Sequence, residues 1–180
     1  KQNNMSISIF IEPITNSKEL IKGLLQSEFG ISENYTDYLY ENQLRSHIDR
    51  LKDSIYLLVE TKYVDKVYRD SYYNYFSSKL SQYKRDCIRI SFFEGDIQYE
   101  DFYNSEKHER LQSIYRGFIV LRPIEPHIIG RSLISPIAMK INNFHCCTAN
   151  YSTTANGLKF KVNAFPHSSQ DSETISCAET

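Results

Sequence analysis

The stretch Tyr151-Ser-Thr-Thr-Ala-Asn-Gly-Leu-Lys-Phe-Lys-Val-Asn-Ala-Phe165 sets an Asn-Gly pair between two runs of strand-compatible residues. Asn-Gly is the favoured two-residue hairpin turn because both positions accept positive φ. The sequence therefore predicts a hairpin with one strand from Phe144 to Thr153, a turn at Asn156-Gly157, and a return strand from Leu158 to Phe165 with Phe160 and Val162 on one face.

Working back from this hairpin, Ile128 to Ile134 is a further strand, with Gly130 inside it as a bulge or close-approach point. Gly117 to Arg122 is a strongly β-prone run closed by Pro123. Cys87-Ile-Arg-Ile-Ser-Phe-Phe93 puts Ile88 and Ile90 on one face and Cys87, Arg89 and Ser91 on the other, and ends at Gly95. Ile55 to Glu60 reads as a buried strand, and Ser6 to Ile11, stopped by Pro13, as a short one.

Between them the period changes. Asn16 is placed to cap a helix in which Leu20, Ile21, Leu24, Leu25 and Phe29 share a face before Gly30 stops it. Leu44, Ile48 and Leu51 mark a second helix from about Asn34 to Lys52. Val64 to Tyr83 keeps apolar and tyrosine residues to one side for about five turns. A short polar helix is expected from Asn104 or Ser105 to Ile114.

No regular βαβ rhythm links these elements. The expected class is α+β, with a mainly antiparallel or mixed sheet, three to four helices, and the start of a further helix at the end. Residues 1–135 are expected to form an α+β domain, and residues 136–180 the hairpin and the start of a second one. Lys1 opens the chain without a methionine and Thr180 falls inside a helix start, so both ends are expected to be cut. The polypeptide C-terminal to Thr180 is then the first expected partner.

Composition narrows the function classes. Hydrophobic residues at 41% and charged residues at 24% are those of a folded globular chain. A net charge of −1 supplies no field for a polyanion or an anionic membrane surface, so nucleic acid is not an expected partner. No apolar run approaches the roughly 20 residues that cross a bilayer, and no signal sequence opens the chain. Cys87, Cys146, Cys147 and Cys177 are too few and too irregular for a disulfide framework, which fits a cytoplasmic setting. His145-Cys146-Cys147, with His127 and Cys87, lacks the spacing of a tetrahedral site, and no glycine-rich phosphate loop is present. Neither a metal nor a cofactor is expected.

Chemistry is suggested at the C-terminus, in Pro166-His-Ser-Ser-Gln-Asp-Ser-Glu-Thr-Ile-Ser-Cys-Ala-Glu-Thr180. Ser176 followed by Glu179 has the spacing of a capping box, which puts Cys177 at the first position of a helix. There the unpaired amides and the helix dipole favour thiolate over thiol, as a cysteine nucleophile requires. Gln170, seven residues earlier in a loop, is placed to donate its amide to an oxyanion near that sulfur. His167 is a further candidate, as a base or as a hydrogen-bonded surface group.

This segment resembles the opening of a papain-like cysteine peptidase core, where a glutamine shortly precedes the nucleophilic cysteine and the cysteine begins the central helix. The resemblance covers about the last dozen residues. Ala178 and Glu179 stand where that family usually has an aromatic. It implies a thiol hydrolase, peptidase or deconjugating, with Cys177 as nucleophile and Gln170 as oxyanion donor. The family's histidine and its orienting asparagine or aspartate follow the cysteine in sequence, so residues 1–180 alone would be inactive.

Arginines form a second constellation: Arg85, Arg89, Arg116, Arg122 and Arg131. Arg89, Arg116, Arg122 and Arg131 are candidate binding residues, since a rigid guanidinium suits a carboxylate or phosphate. The competing function is thus a non-catalytic recognition or scaffold domain for a peptide, a phosphorylated ligand or a partner subunit, using arginine and tyrosine surfaces. Internal ion pairs with Asp65, Asp70, Asp86 and Glu125 are the alternative account of the same residues.

Overall fold

A computed structural model describes residues 7–79, 83–141 and 145–169. Its centre is β3 (Cys87–Glu94), where only the last side chain escapes full burial. Ile88, Ile90 and Phe92 face one core and Cys87 and Phe93 the other. A strand covered on both faces carries apolar residues at successive positions, which is why Ile-Ser-Phe-Phe reads as a run rather than an alternation.

The other strands are β1 (Ile9–Pro13), β2 (Ile55–Tyr63), β4 (Tyr115–Leu121), β5 (Ile129–Ile134), β6 (Ala149–Ala155) and β7 (Leu158–His167). They pair in the order β1-β2-β3-β4-β5-β7-β6, every neighbour antiparallel. The class is therefore α+β on one antiparallel sheet. Asn156 at φ 44 and Gly157 at φ 79 make the expected turn. β7 joins β5 through Ser132↔His167, Leu133↔Pro166 and Ile134↔Phe165, so the hairpin shares a sheet with residues before 135.

One face carries α1 (Ser17–Leu24), α2 (Glu33–Leu39) and α3 (Arg45–Ile48). Wide π turns at Leu25–Phe29 and Tyr40–Leu44 extend the first two. Ile21, Leu25, Leu39, Leu44 and Ile48 pack there with Leu57, Val59, Ile88, Ile90, Ile119 and Leu121. Gly30 ends the first helix at φ 77, as its position predicted. Asn16 does not cap it: the side-chain amide donates to Glu12 instead, at 3.1 Å.

The opposite face is covered by α4 (Lys66–Asn74), α5 (His108–Ile114) and the hairpin, which bends back over β3 and β4. Phe160 of β7 stacks on Tyr115 at 4.6 Å and meets Phe93 edge-on at 5.6 Å. The five-turn helix expected over Val64 to Tyr83 is not continuous. Asp65 caps α4 by accepting from the Tyr68 amide, but the helix breaks at Tyr75, where φ is −136. Tyrosine is only a moderate helix former, and the Ser77 and Ser78 hydroxyls draw off the Tyr73 and Tyr75 carbonyls. The break turns Phe76 inward against Tyr68 and Tyr83.

Three bulges shape the sheet. Opposite β3, the pairs Phe92↔Gly117 and Phe93↔Tyr115 leave Arg116 as an extra residue. Opposite β4, Ile119↔Ser132 and Leu121↔Ile129 leave Gly130 and Arg131 facing one residue, as the glycine suggested. On β2, Glu60↔Arg89 and Tyr63↔Cys87 bracket a third, with Lys62 at φ 51.

The tightest backbone approach falls at Gly117 rather than Gly130. Gly117 has φ 113, and a Cβ there would lie 1.9 Å from the Leu133 carbonyl oxygen. Gly117→Ala should therefore cost about 3 kcal/mol or more in urea denaturation. Gly23→Ala, at an open position inside α1 with nothing within 4 Å of the new Cβ, should instead add about 0.5–1 kcal/mol.

Candidate functional site

Cys177 and Gln170 lie outside the described residues. The four candidate binding arginines are described, and each is engaged within the fold. Arg116, aimed by its bulge, bonds Glu94 at 2.7 Å and the Ser113 carbonyl at 2.7 Å. Arg131, in the next bulge, lies 3.6 Å from buried Asp65. Arg122 donates to the His127 and Ser169 carbonyls. Extra residues in bulges re-aim side chains, which accounts for arginines flanking otherwise apolar strands.

Arg89 is the most buried, at 1% exposure. Its guanidinium donates to the Tyr63 hydroxyl at 3.2 Å and to Thr153 Oγ1 of the hairpin at 2.5 Å. It stacks 4.1 Å from the Phe118 ring centre. Glu60, its cross-strand neighbour, comes within 4.0 Å and accepts the Asn156 amide at 3.1 Å. Residues three apart face opposite ways on a regular strand; the β2 bulge brings Glu60 and Tyr63 to the same guanidinium. Burial raises the Glu60 carboxyl's pKa although Arg89 opposes it. Glu60 Oε2, Arg89 Nε, Ser91 Oγ, the Tyr115 hydroxyl and Asn156 Nδ2 are buried there without a hydrogen-bond partner among the described residues.

A second polar cluster lines a surface cavity. His47 of α3 and His167 at the end of β7 bring their rings to 5.6 Å. With Ser46, Arg50, Ser132, Ile134, Met139 and Phe165 they line a cavity of about 230 Å³. Ser132, paired with His167 in register, donates its hydroxyl to the His167 carbonyl at 3.0 Å. Burial lowers the His47 pKa, and His167 and Arg50 lower it further. Sequence reasoning singled out His167 but passed over His47 and Arg50. His47 is one residue from Ile48 of the apolar stripe, and no periodicity shows that it will meet a residue so distant in the chain.

The described thiols differ in access. Cys146 and Cys147 are exposed, whereas Cys87 is buried, and burial with nearby Asp65 raises its pKa strongly. Among the described residues no cluster of three metal-ligating side chains is gathered, and no helix is long and apolar enough to cross a membrane. No known protein family, curated protein or solved structure matches the chain.

Arg89→Ala should cost about 3–5 kcal/mol in urea denaturation, because it strands a buried carboxylate. Arg89→Met combined with Glu60→Gln should recover most of that loss, since removing both charges removes their shared desolvation cost. For His47, a folded pKa below the ordinary value of 6.5 means that the unfolded chain binds more protons in that window. Its contribution is full above 6.5 and is lost as pH falls through the folded value. His47→Gln should flatten the acid limb of stability measured between about pH 7.5 and 5.

Proposed function

We propose that residues 170–180 open the core of a papain-like thiol hydrolase, with Cys177 as nucleophile and Gln170 as oxyanion donor, and that the α+β fold precedes and positions that core. The observation that carries the reading is the order Gln170, Ser176, Cys177, Glu179, in which a capping-box spacing puts a thiol at a helix start. In this reading the sulfur attacks a carbonyl, Gln170 binds the oxyanion, and a histidine C-terminal to Thr180 takes the thiol proton. The tetrahedral intermediate collapses as the bond from the carbonyl carbon to the leaving amine breaks and the histidine returns its proton to that amine; the thioester left on sulfur passes to water in a peptidase or to an incoming amine in a transferase.

The described fold lends support in one respect. The Ser169 hydroxyl donates to the Ile129 carbonyl and its own carbonyl accepts from Arg122, so the chain reaches Gln170 from a point tied to β5. The three described cysteines are free, which suits a reducing compartment such as the cytoplasm. The competing recognition reading draws less support, because its arginines are spent on internal partners and the buried side of its tyrosine helix is core.

Iodoacetamide labelling of the full-length polypeptide at about pH 6, read by mass spectrometry, tests this: Cys177 should alkylate at least about tenfold faster than exposed Cys146 and Cys147. Equal or slower labelling of Cys177 would remove the activated thiol. Cys177→Ala should abolish hydrolysis or transfer while leaving the thermal midpoint unchanged.

A further inference from the structure

Two surface cavities near α3 contrast in how their charges are used. One, of about 320 Å³, is lined by Lys18, Glu41, Arg45, Asp49, Asp53 and Lys140 among others. Lys18 and Arg45 bond Glu41, Arg45 also bonds Asp49, and Lys140 bonds Asp53, all at 3.0 Å or less. Every charge there has its counter-charge, and nothing remains to hold a ligand.

The His47 cavity is built the other way. No carboxylate lines it, and His47, His167 and Arg50 converge there. The Arg50 side chain makes no hydrogen bond or ion pair among the described residues. Asp49, the nearest acid along the chain, is held by Arg45. Through Arg50, Met139 and Phe165 this cavity continues into a mainly apolar one of about 570 Å³ that adds Ile141, a residue 67% exposed, with Asp49 and Lys140 at its edge, each held by its own ion pair. A cationic end thus adjoins an apolar trough, with a shared wall.

We propose that this groove binds a small amphipathic carboxylate, its apolar group against Met139, Ile141 and Phe165 and its carboxylate between Arg50, His47 and His167. Arg50 supplies a planar two-pronged donor for the carboxylate, the imidazoles supply donors once protonated, and the trough removes the apolar group from water. An aliphatic acid and the C-terminus of a peptide ending in an apolar residue share this chemistry. The inference rests on the groove alone and does not depend on Cys177.

Binding should strengthen as pH falls through the imidazole range while the ligand stays ionised. The groups facing the carboxylate are His47, Arg50 and the committed Asp49 from the α3 side, His167 from β7, and Lys140, itself paired with Asp53. Calorimetric titration of the protein with octanoate and with N-acetylphenylalanine, each against its uncharged counterpart octanol or N-acetylphenylalaninamide, tests the proposal. At least one acid should bind with a Kd of about 1 mM or tighter, roughly tenfold below its neutral counterpart. Arg50→Glu, at an exposed position, should weaken that acid at least about tenfold, and the His47 ring resonances should titrate at higher pH in the complex. Binding of octanoate alone supports an aliphatic acid, and of N-acetylphenylalanine alone a peptide C-terminus. Equal binding of acid and neutral forms, or no binding of either acid at about 10 mM, would overturn it.

Discussion

The buried guanidinium of Arg89 is the constraint on which the second core depends. The hairpin reaches the main sheet through only three residue pairs between β5 and β7, yet it must lie flat on β3 and β4. Phe160 supplies apolar contact with Phe93 and Tyr115, but such contact is tolerant of sliding. The bond from Arg89 to Thr153 and that from the Asn156 amide to Glu60 are not. A slip of β6 by one residue would turn Thr153 to the other face and leave a buried charge short of partners. The cluster's contribution is thus to fix one arrangement of hairpin on sheet, more than to add net stability.

The bulges make that cluster possible and explain the odd chemistry of the strands. A regular β2 would send Tyr63 away from Arg89; the extra backbone at Lys62 returns it. The extra residues on β4 and β5 carry Arg116 and Arg131 out to Glu94 and Asp65. Curling and charge placement are one event here, because each bulge both bends its strand and re-aims a side chain. Gly117 belongs to the same scheme: beside the Arg116 bulge the backbones close until no Cβ fits.

How much of this was legible depended on the range of the interaction. Asn156-Gly157, Gly30 and the alternation of Ile88 and Ile90 with Arg89 act within a few residues, and each is where its local chemistry put it. The glycine inside β5 marked its bulge for the same reason. Asn16 failed as a cap because a tight helical turn at Ile14–Asn16 already leads into the helix, which holds Asn16 at φ −95 and ψ 2 rather than in the extended backbone that a cap needs. The tyrosine helix failed because burying Phe76 outweighed a weak helical preference. The face of Arg89 was readable, but its partners Thr153 and Tyr63 were not. The groove was invisible altogether, since His47 and His167 meet only after helix packing and strand pairing are complete.

These two polar sites divide by where their charge is balanced. Around Arg89 the counter-charge, Glu60, is built into the neighbouring strand and water is excluded, so the electrostatics are spent on holding the chain to itself. In the His47 cavity, His47, His167 and Arg50 share a wall with no carboxylate, and burial, with His167 and Arg50 beside it, holds the His47 pKa down; Asp49 lines only the adjoining trough and is held by Arg45. An arriving anion favours protonation of His47, so that its charge appears when a counter-charge is there to meet it. Such an arrangement leaves the Arg50 guanidinium without an ion-pair partner among the described residues. Its physical sense lies in what it does for a negatively charged group from outside.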